Sequence, residues 1–590
     1  MSNNLYTCTG EITAIIANMV VVKANGPIRQ NEICYYLHNN KNIMGEVIRT
    51  DRNYAYTQVF ESTRGFKIGM TTNFTGNMLE AYLGPGLLTK NFDGLQNDLN
   101  KMEGVFLERG ARTYPLDVEK RWTFKPIAQP GEQVLAGDWL GEVDENGIPH
   151  KIMVPFKLEG TLKVVEVAQA NDYCINDTIA TLSNEAGEII KVTMVQTWPV
   201  RLPIKSYLEK LRPSKLFETG IRVIDTLNPI LEGGTGFIPG PFGSGKTVLQ
   251  HALAKQAAAE VVIIVACGER ANEVVEIFTE FPKLDDPRTG KKLMERTSIV
   301  ANTSNMPVAA REASVYTAMT IAEYYRAMGL RTLLLADSTS RWAQALREMS
   351  NRLEELPGPD AYPMDLSAII SNYYSRAGQI LLRNGSKGSL TFIGTVSPAG
   401  GNLLEPVTAA TKKVARCFFA LSQERADNKR YPAIDPIDSY SKYLEYQEYL
   451  EYSKIHIGEN WIEDVDFVRN TLIQGREVYE QINILGDDGV TVDYHVMFWK
   501  SELIDFVFLQ QDAFDEIDAN TSIPRQKYML EKINVLLKTS FMFDNFDEVR
   551  NFFKRIIYIL KQMNYSEFQS DKFVGFENEL QQVINEKVKA

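Results

Sequence analysis

Residues 240–247, Gly-Pro-Phe-Gly-Ser-Gly-Lys-Thr, have the types and the spacing that bind a phosphate chain. The glycines of this P-loop pattern let successive backbone N–H groups point at an anion. Lys246 is expected to reach the terminal phosphates, and the Thr247 hydroxyl to ligate Mg²⁺. A glycine-rich turn can match so short a pattern by chance. Here an apolar stretch at residues 237–238 precedes it and a helical stretch follows, so the loop opens onto a helix N-terminus, which favours phosphate.

Two carboxylates follow apolar strands elsewhere in the chain. Residues 332–337 predict a strand that ends in Asp337, where a carboxylate can hold magnesium or its water. Asp337 could instead cap the next helix. Glu269 directly follows the apolar strand predicted at residues 261–267, and a carboxylate there can align or deprotonate an attacking water. Its spacing alone is equally compatible with a surface glutamate paired with Arg270.

Composition limits the class of protein. A chain of 590 residues is too long for one core, and its length suggests roughly three or four domains. Lys and Arg number 63 against 75 Asp and Glu, and no basic run favours nucleic acid as a partner. The chain starts without the pattern of a signal peptide, and its apolar runs are far shorter than a membrane span. Five scattered cysteines favour a reducing cytoplasm over a disulfide framework.

The order of elements predicts a multidomain chain. Residues 1–72 predict an N-terminal β-barrel of about five short strands, and residues 73–117 connect it onward. Residues 118–192 predict an inserted β-rich domain that resembles a biotinyl-carrier half-barrel. Because no lysine for modification stands at a hairpin tip, we expect a structural or docking insert. Residues 193–435 alternate strands and helices, which is typical of a P-loop α/β domain with a mostly parallel sheet.

Residues 436–590 predict a C-terminal α-helical domain. Strand signals vanish there, and helical periodicity with many aromatic residues takes over. The aromatic stripes indicate packing between helices. The predicted helices cover residues 440–452, 459–485, 496–514, 525–537 and 547–563.

Several motifs together resemble the catalytic A subunit of the V/A-type rotary ATPases. They are residues 240–247, Cys267-Gly268-Glu269-Arg270, residues 303–312 (TSNMPVAARE) and residues 336–343 (ADSTSRWA). The likeness continues through residues 396–398, 405–408 and 510–514. It covers nearly the whole chain, including the 118–192 insert that separates A subunits from the shorter F-type β subunits. The resemblance implies a RecA-like P-loop domain and ATP hydrolysis or synthesis coupled to H⁺ or Na⁺ transport.

The resemblance implies roles for the residues around the phosphates. Lys246 binds the β- and γ-phosphates of ATP or ADP. Thr247 ligates the accompanying Mg²⁺, and Asp337 stands behind it through water. Glu269 is the implied catalytic carboxylate, and Arg270 is its partner at a contact with a neighbouring subunit.

The resemblance also implies which residues hold the nucleotide. Tyr431 and Phe514 fall on two sides of adenine, because an aromatic face can stack on a base. Without the family, either ring would more often belong to a core. The implied nucleotide-binding positions are Gly240, Pro241, Phe242, Gly243, Ser244, Gly245, Lys246, Thr247, Val248, Tyr431 and Phe514.

The partners follow from the same resemblance. Three A subunits alternate with three B subunits, each B subunit supplying an arginine finger that raises turnover by on the order of 10³ or more. An isolated A chain is therefore expected to hydrolyse ATP poorly. Central and peripheral stalk subunits, and indirectly the membrane rotor, complete the complex. The expected location is peripheral, on the cytoplasmic face of a membrane.

Some positions depart from the family pattern. Ile369 stands where the family has Arg, Asn402 and Ser422 stand where it has Asp, and Phe419 stands where it has Trp. Residues 505–507 (Asp-Phe-Val) replace a charged Arg-Glu-Asp. These departures bear on contacts between domains and on regulation.

Two other classes of protein compete with this interpretation. A degenerate ring subunit would bind nucleotide without turnover, but the combination of Lys246 with Glu269 argues against it. An RNA-translocating or export ATPase of the same core fold would be shorter, lack the insert and, if it bound RNA, carry basic loops. Ser244 stands where eukaryotic vacuolar enzymes carry Cys, which favours a bacterial or archaeal origin.

Overall fold

The computed structural model describes residues 7–39, 41–101, 110–241 and 243–587, so Phe242 of the predicted nucleotide loop lies outside the described residues. The chain forms two compact units. The first contains Met1–Leu211, Ala259–Val396 and Ala409–Thr411. The second contains Arg212–Ala258, Ser397–Thr408 and Lys412–Ala590.

The first unit begins with a closed antiparallel barrel, which confirms the predicted N-terminal barrel. Alternate side chains such as Val20 and Val22 point into its apolar core. The sixth strand was not predicted, because Phe74 and the terminal Met78 are its large apolar residues among polar ones. That strand runs across the boundary at residue 72, which stays a prediction. The strands are Cys8–Ile16, Met19–Ala24, Glu32–His38, Lys41–Asp51, Tyr54–Val59 and Thr71–Met78.

The insert is β-rich, as predicted, and consists of two four-stranded antiparallel sheets. Buried His150 hydrogen-bonds Glu145 at 2.6 Å and the Tyr324 hydroxyl at 2.9 Å, which joins the insert to the helix Val308–Arg326. One sheet contains Gln133–Val134, Leu162–Val167, Ala180–Ser183 and Ile189–Val192. The other contains Ile148–Met153, Trp139–Glu145, Arg121–Pro126 and Asn171–Cys174.

A parallel sheet forms the α/β part of the first unit. Its central strand, Val261–Glu269, is apolar and buried up to its last residue, as expected for a strand covered on both faces. The parallel strands, in spatial order, are Lys387–Val396, Arg331–Asp337, Val261–Glu269, Thr297–Thr303 and Asn91–Phe92. Antiparallel pairs are formed by Glu209–Leu211 with Gly378–Leu381, by the latter with Lys387–Val396, and by Glu80–Leu83 with Gln196–Pro199. The helices are Ala271–Glu280, Val308–Arg326, Thr339–Arg352 and Leu366–Tyr374.

The second unit combines a small sheet with many helices. The strand Thr235–Pro239 pairs in parallel with Cys417–Phe418, which pairs antiparallel with Tyr440–Ser441. Its helices are Lys246–Gln256, Gln423–Asp427, Gln447–His456, Trp461–Leu485, Val492–Ile504, Ile523–Lys538, Phe546–Asn564 and Asp571–Asn585. Two π-helical turns occur at Val223–Leu227 and Asp505–Leu509, and the residues of the helix Pro406–Val414 are divided between the units.

The C-terminal half is helical, as predicted, but two predicted helices have wrong bounds. Tyr440–Ser441 is a strand, and the helix predicted at residues 440–452 begins only at Gln447. The helix predicted at residues 496–514 ends at Ile504, and residues 510–514 are a loop. Within the described part of the chain, every helix is too short or too polar to span a membrane.

Candidate active site

A glycine-rich loop lies at the start of a helix in the second unit. The buried strand Thr235–Pro239 leads into it, and Lys246–Gln256 is the helix that follows. Gly243 and Gly245 have φ of 82° and 91°, which a residue with a side chain adopts only with strain. A Cβ atom on Gly240 would lie 2.6 Å from Ser244 Oγ. The glycines are therefore required by the curl of the loop, not by its flexibility.

The Lys246 ammonium lies across this loop. Its Nζ donates to the carbonyl oxygens of Gly240 and Pro241, each at 2.8 Å. Thr247, the next residue, is in the first turn of the helix, where backbone N–H groups lack intrahelical acceptors. An ammonium group and the positive end of a helix dipole at one helix N-terminus favour the binding of an anion.

A cavity of about 510 Å³ adjoins the loop within the same unit. Gly243, Gly245 and Val248 line one side of it, and Tyr431 and Phe514 line another. Its volume lies in the range of small-molecule sites. Phe514 is 98% exposed, so its ring face is open to a ligand. Ser244 also lines the cavity, so the structure brings six of the predicted nucleotide-binding residues to one pocket.

Sequence reasoning missed other residues of this pocket. Gln510 lines it, and its side-chain Nε2 is buried with no hydrogen-bond partner among the described residues. Lys561 and Asn564 reach the same cavity from the end of the helix Phe546–Asn564. The position of Gln510 within the motif that contains Phe514 was a usable signal. Nothing local in the sequence marks Lys561 or Asn564.

The two predicted carboxylates lie together in the first unit. Glu269 and Asp337 are the last residues of neighbouring parallel strands, in which Ala266 pairs with Asp337. Thr395, on the next strand, donates its hydroxyl to Asp337 Oδ1 at 2.6 Å. The cap of the following helix is Ser338, whose Oγ accepts from the backbone, so Asp337 is not that cap.

Burial raises the pKa of Glu269 to about 8. The negative charge of Asp337 adds to this rise, as does the neighbouring carboxyl of Glu273, while the Arg341 guanidinium lowers the pKa. Two acids at adjacent strand ends resist simultaneous ionisation. A carboxyl group with a pKa near neutrality can accept and release a proton, which is the property of a general base.

Arg270 lies at the surface directly after this strand. It precedes the helix Ala271–Glu280, and its Nη1 lies 3.9 Å from Glu273 Oε1. Its side chain is 58% exposed. The predicted role at a subunit contact remains a prediction.

Three of the unusual positions have defined local contacts. Ser422 caps the helix Gln423–Asp427 by accepting from a backbone N–H. Phe419 is fully buried and packs at Gly236. Asp505 accepts two hydrogen bonds from Arg425, at 2.8 and 2.9 Å. These three residues therefore have ordinary structural partners within the second unit. Their departure from the family pattern does not disrupt the local fold.

Comparison with known sequences agrees with this geometry. The model of the ATP synthase alpha/beta family nucleotide-binding domain matches residues 220–441. The model of the ATP synthase alpha/beta subunit barrel-sandwich domain matches residues 113–201, and that of the family's beta-barrel domain matches residues 12–76. Fold and loop thus define a class, the nucleotide-binding subunits of ATP synthases.

Full-length relatives narrow the class further. The chain is 46% identical over 581 residues to the V-type ATP synthase alpha chain of Borrelia recurrentis, covering 98% of this chain and 99% of that protein. The identity is 47% to the V-type ATP synthase alpha chain of Treponema denticola, covering 98% and 96% of the two chains. The chain belongs to the family of V-type ATP synthase alpha chains.

Proposed function

We propose how this chain, the ATP-hydrolysing or ATP-synthesising catalytic subunit of a V-type rotary ATPase, divides its chemistry among its residues. The observation that carries the proposal is the pocket of the second unit, where glycines of the P-loop and two exposed aromatic rings line one cavity. A triphosphate and an aromatic base are the two parts of ATP that such a pocket accommodates. The domain bounds given by the sequence, at residues 72, 117, 192 and 435, are part of this proposal.

The P-loop binds the phosphates. Lys246 leaves the carbonyls of Gly240 and Pro241 and turns to the β- and γ-phosphates, since a phosphate oxygen is the stronger partner for an ammonium. The backbone of residues 240–247 supplies N–H donors to the same oxygens. Phosphate binding thus replaces contacts that the loop makes with itself.

Magnesium accompanies the nucleotide. The Thr247 hydroxyl and the Asp337 carboxylate are hard oxygen donors, the kind Mg²⁺ prefers alongside water and substrate phosphates. The hydrogen bond from Thr395 orients the Asp337 carboxylate, as an outer partner of a ligand does. When bound, Mg²⁺ would neutralise negative charge on the phosphates.

Glu269 orients and deprotonates the water that attacks the γ-phosphate during hydrolysis. Its raised pKa makes it a better base than an exposed carboxylate, and Arg341 favours its ionised form. Arg270, exposed beside it, reaches a neighbouring subunit.

The aromatic rings bind the base, and their removal tests this. Phe514→Ala should raise KM for ATP by roughly 5- to 150-fold, because stacking contributes about 1–3 kcal/mol per base. Its effect on kcat at saturating ATP should be small, since the base takes no part in phosphoryl transfer. Steady-state kinetics of the assembled complex measure both constants.

Phe543→Ala offers a control for the loss of a phenyl ring. Phe543 packs with Phe541 and Phe552 and does not line the pocket. The Phe543→Ala variant should have a lower melting temperature than the wild-type chain and an unchanged KM for ATP. An unchanged KM in Phe514→Ala would remove the ring from the base site.

The catalytic site depends on partners. B subunits alternate with this chain in a ring of three and three and supply an arginine finger, while central and peripheral stalks link the ring to a membrane rotor that carries H⁺ or Na⁺. The complex is peripheral on the cytoplasmic face. No nucleic acid takes part.

An assembly experiment tests the proposed function as a whole. The isolated chain should bind Mg-ATP by calorimetry but hydrolyse it at least about 10³-fold more slowly than the complex with B subunits, because an arginine finger contributes 10³–10⁵. Release of phosphate from equal amounts of chain gives the ratio. Equal rates would contradict an arginine supplied by a partner, and failure to bind Mg-ATP would contradict the nucleotide site.

A further inference from the structure

A buried arginine lies behind the segment that carries Phe514, residues 510–521, here called the Phe514 loop. Arg222 is only 1% exposed. Its Nε donates to the carbonyl oxygen of Phe508 at 2.8 Å, and its Nη2 donates to that of Gln510 at 2.6 Å. The arginine thus holds the chain where the preceding helical turn ends and the loop begins.

The same guanidinium holds the far end of the Phe514 loop. Its Nη1 donates to Asp518 Oδ1 at 2.6 Å and to the Thr521 hydroxyl at 3.1 Å. Asp518 Oδ2 accepts from the backbone N–H of Asp512 at 2.8 Å, which closes the loop on itself. The planar, five-donor geometry of arginine allows one side chain to bind both ends at once.

Gln511 connects this arrangement to the second aromatic ring. Its Oε1 accepts from the backbone N–H of Arg222 at 3.0 Å, and its Nε2 donates to the carbonyl oxygen of Asp518 at 2.7 Å. Its own backbone N–H donates to the carbonyl oxygen of Tyr431 at 2.9 Å. The backbone segments that carry both aromatic residues are therefore linked to Arg222.

The exposed ring of Phe514 differs from the buried residues that hold its loop. It is 98% exposed, while Arg222 and Gln511 beneath it are buried. An exposed ring on a mobile loop would lose conformational entropy on binding a base, whereas a pre-ordered loop loses less. Pre-ordering of the Phe514 loop therefore favours binding of the nucleobase, in addition to any contribution to stability.

We infer that Arg222 is a positioning residue that sets Phe514 and Tyr431 at the spacing of a purine base. The inference rests on the proposed function, in which these rings hold adenine. Arg222 itself does not line the pocket. It acts by holding the Phe514 loop and, through Gln511, the segment of Tyr431.

The test compares ATP with inorganic tripolyphosphate, which has the phosphates but no base. Arg222→Lys keeps the charge and loses most of the hydrogen bonds. Calorimetry on the full chain with Mg²⁺ should show ATP binding weakened by about tenfold, within the range of a stacking contribution. Tripolyphosphate binding should change by less than about twofold, because the P-loop makes no contact through Arg222.

Two further variants keep the test decisive. Arg296→Lys changes another buried arginine, which bonds Asp286, and should leave both affinities unchanged. If Arg222→Lys does not fold, Asp518→Asn removes one carboxylate oxygen from the same arrangement and should also weaken ATP selectively. Equal weakening of ATP and tripolyphosphate, or no weakening of either in a folded variant, overturns the inference. If the wild-type chain itself binds tripolyphosphate as well as ATP, the proposed base site fails instead.

Discussion

Lys246→Ala should abolish ATP turnover by the assembled complex, with a fall on the order of 10²–10³-fold or more. The ammonium is the cation that the P-loop brings to the phosphates, and it balances charge that develops on the transferred phosphoryl group. In the structure its Nζ donates to two carbonyl oxygens of its own loop, at 2.8 Å each. Losing those charge-assisted bonds costs on the order of 1–3 kcal/mol of stability each, so the fold of the variant is measured beside its turnover.

Lys255→Ala is the matched control for this change. Lys255 is in the last turn of the same helix, about 14 Å along its axis from Lys246 at 1.5 Å per residue. It removes the same charge from the same helix and should leave kcat within about twofold, since a surface charge at that distance is largely screened. Phosphate release and circular dichroism on both variants separate loss of chemistry from loss of fold. Turnover retained in Lys246→Ala would contradict the phosphate-binding role.

Local patterns predicted the loop well because its chemistry is local. Gly243, Gly245 and Lys246 are adjacent in sequence, and the strand and helix that position them are too. The same holds for Asp337, which ends an apolar strand. Hydrophobic periodicity and the positions of turn-forming residues suffice to predict a site that is built from consecutive residues.

Distant contacts explain what the sequence did not predict. Periodicity favours a helix over residues 496–514, but Arg222 binds the carbonyls of Phe508 and Gln510 from almost 300 positions away. Those tertiary bonds end the helix and make Phe514 part of a loop. Likewise, Tyr440–Ser441 becomes a strand only because Cys417–Phe418 offers it an edge. Helical propensity is a weak preference that such contacts override.

The pKa of Glu269 also depends on tertiary structure. The spacing of Glu269 after its strand left a surface ion pair open as an alternative. Burial and the charge of Asp337 raise the pKa of Glu269 to about 8, which favours the catalytic interpretation over a surface ion pair. The order of strands in the sheet creates that neighbourhood, and a single sequence does not specify strand order.

Glu269→Gln should leave Mg-ATP binding within about twofold while lowering kcat by on the order of 10²–10⁴-fold. Glutamine has the shape of the protonated carboxyl group but cannot take a proton from water. Because burial raises the pKa of Glu269 to about 8, the protonated form prevails at neutral pH, and the amide should be tolerated. Calorimetry measures the binding, and single-turnover hydrolysis in the complex measures the chemical step.

The pH dependence gives a second and independent result for the same carboxyl group. A base must be ionised, so kcat/KM of the wild-type complex should rise with pH and level off above about 8, since this constant reports the free enzyme. Glu273 helps to raise the pKa of Glu269. Glu273→Gln should therefore move the rise to lower pH without removing it, whereas Glu269→Gln should flatten it.

Stability should follow the same titration with the opposite sign. A carboxyl group whose pKa is raised on folding contributes stability below its unfolded pKa, near 4.5, and loses that contribution as pH rises through about 8. The difference in melting temperature between Glu269→Gln and the wild-type chain, measured without nucleotide, should thus shift in favour of the variant between pH 5 and pH 9.

Two outcomes would contradict the catalytic role of Glu269. A wild-type pH profile that survives in Glu269→Gln, with normal turnover, would assign the general base to another residue. Loss of Mg-ATP binding would show that Glu269 holds the nucleotide instead.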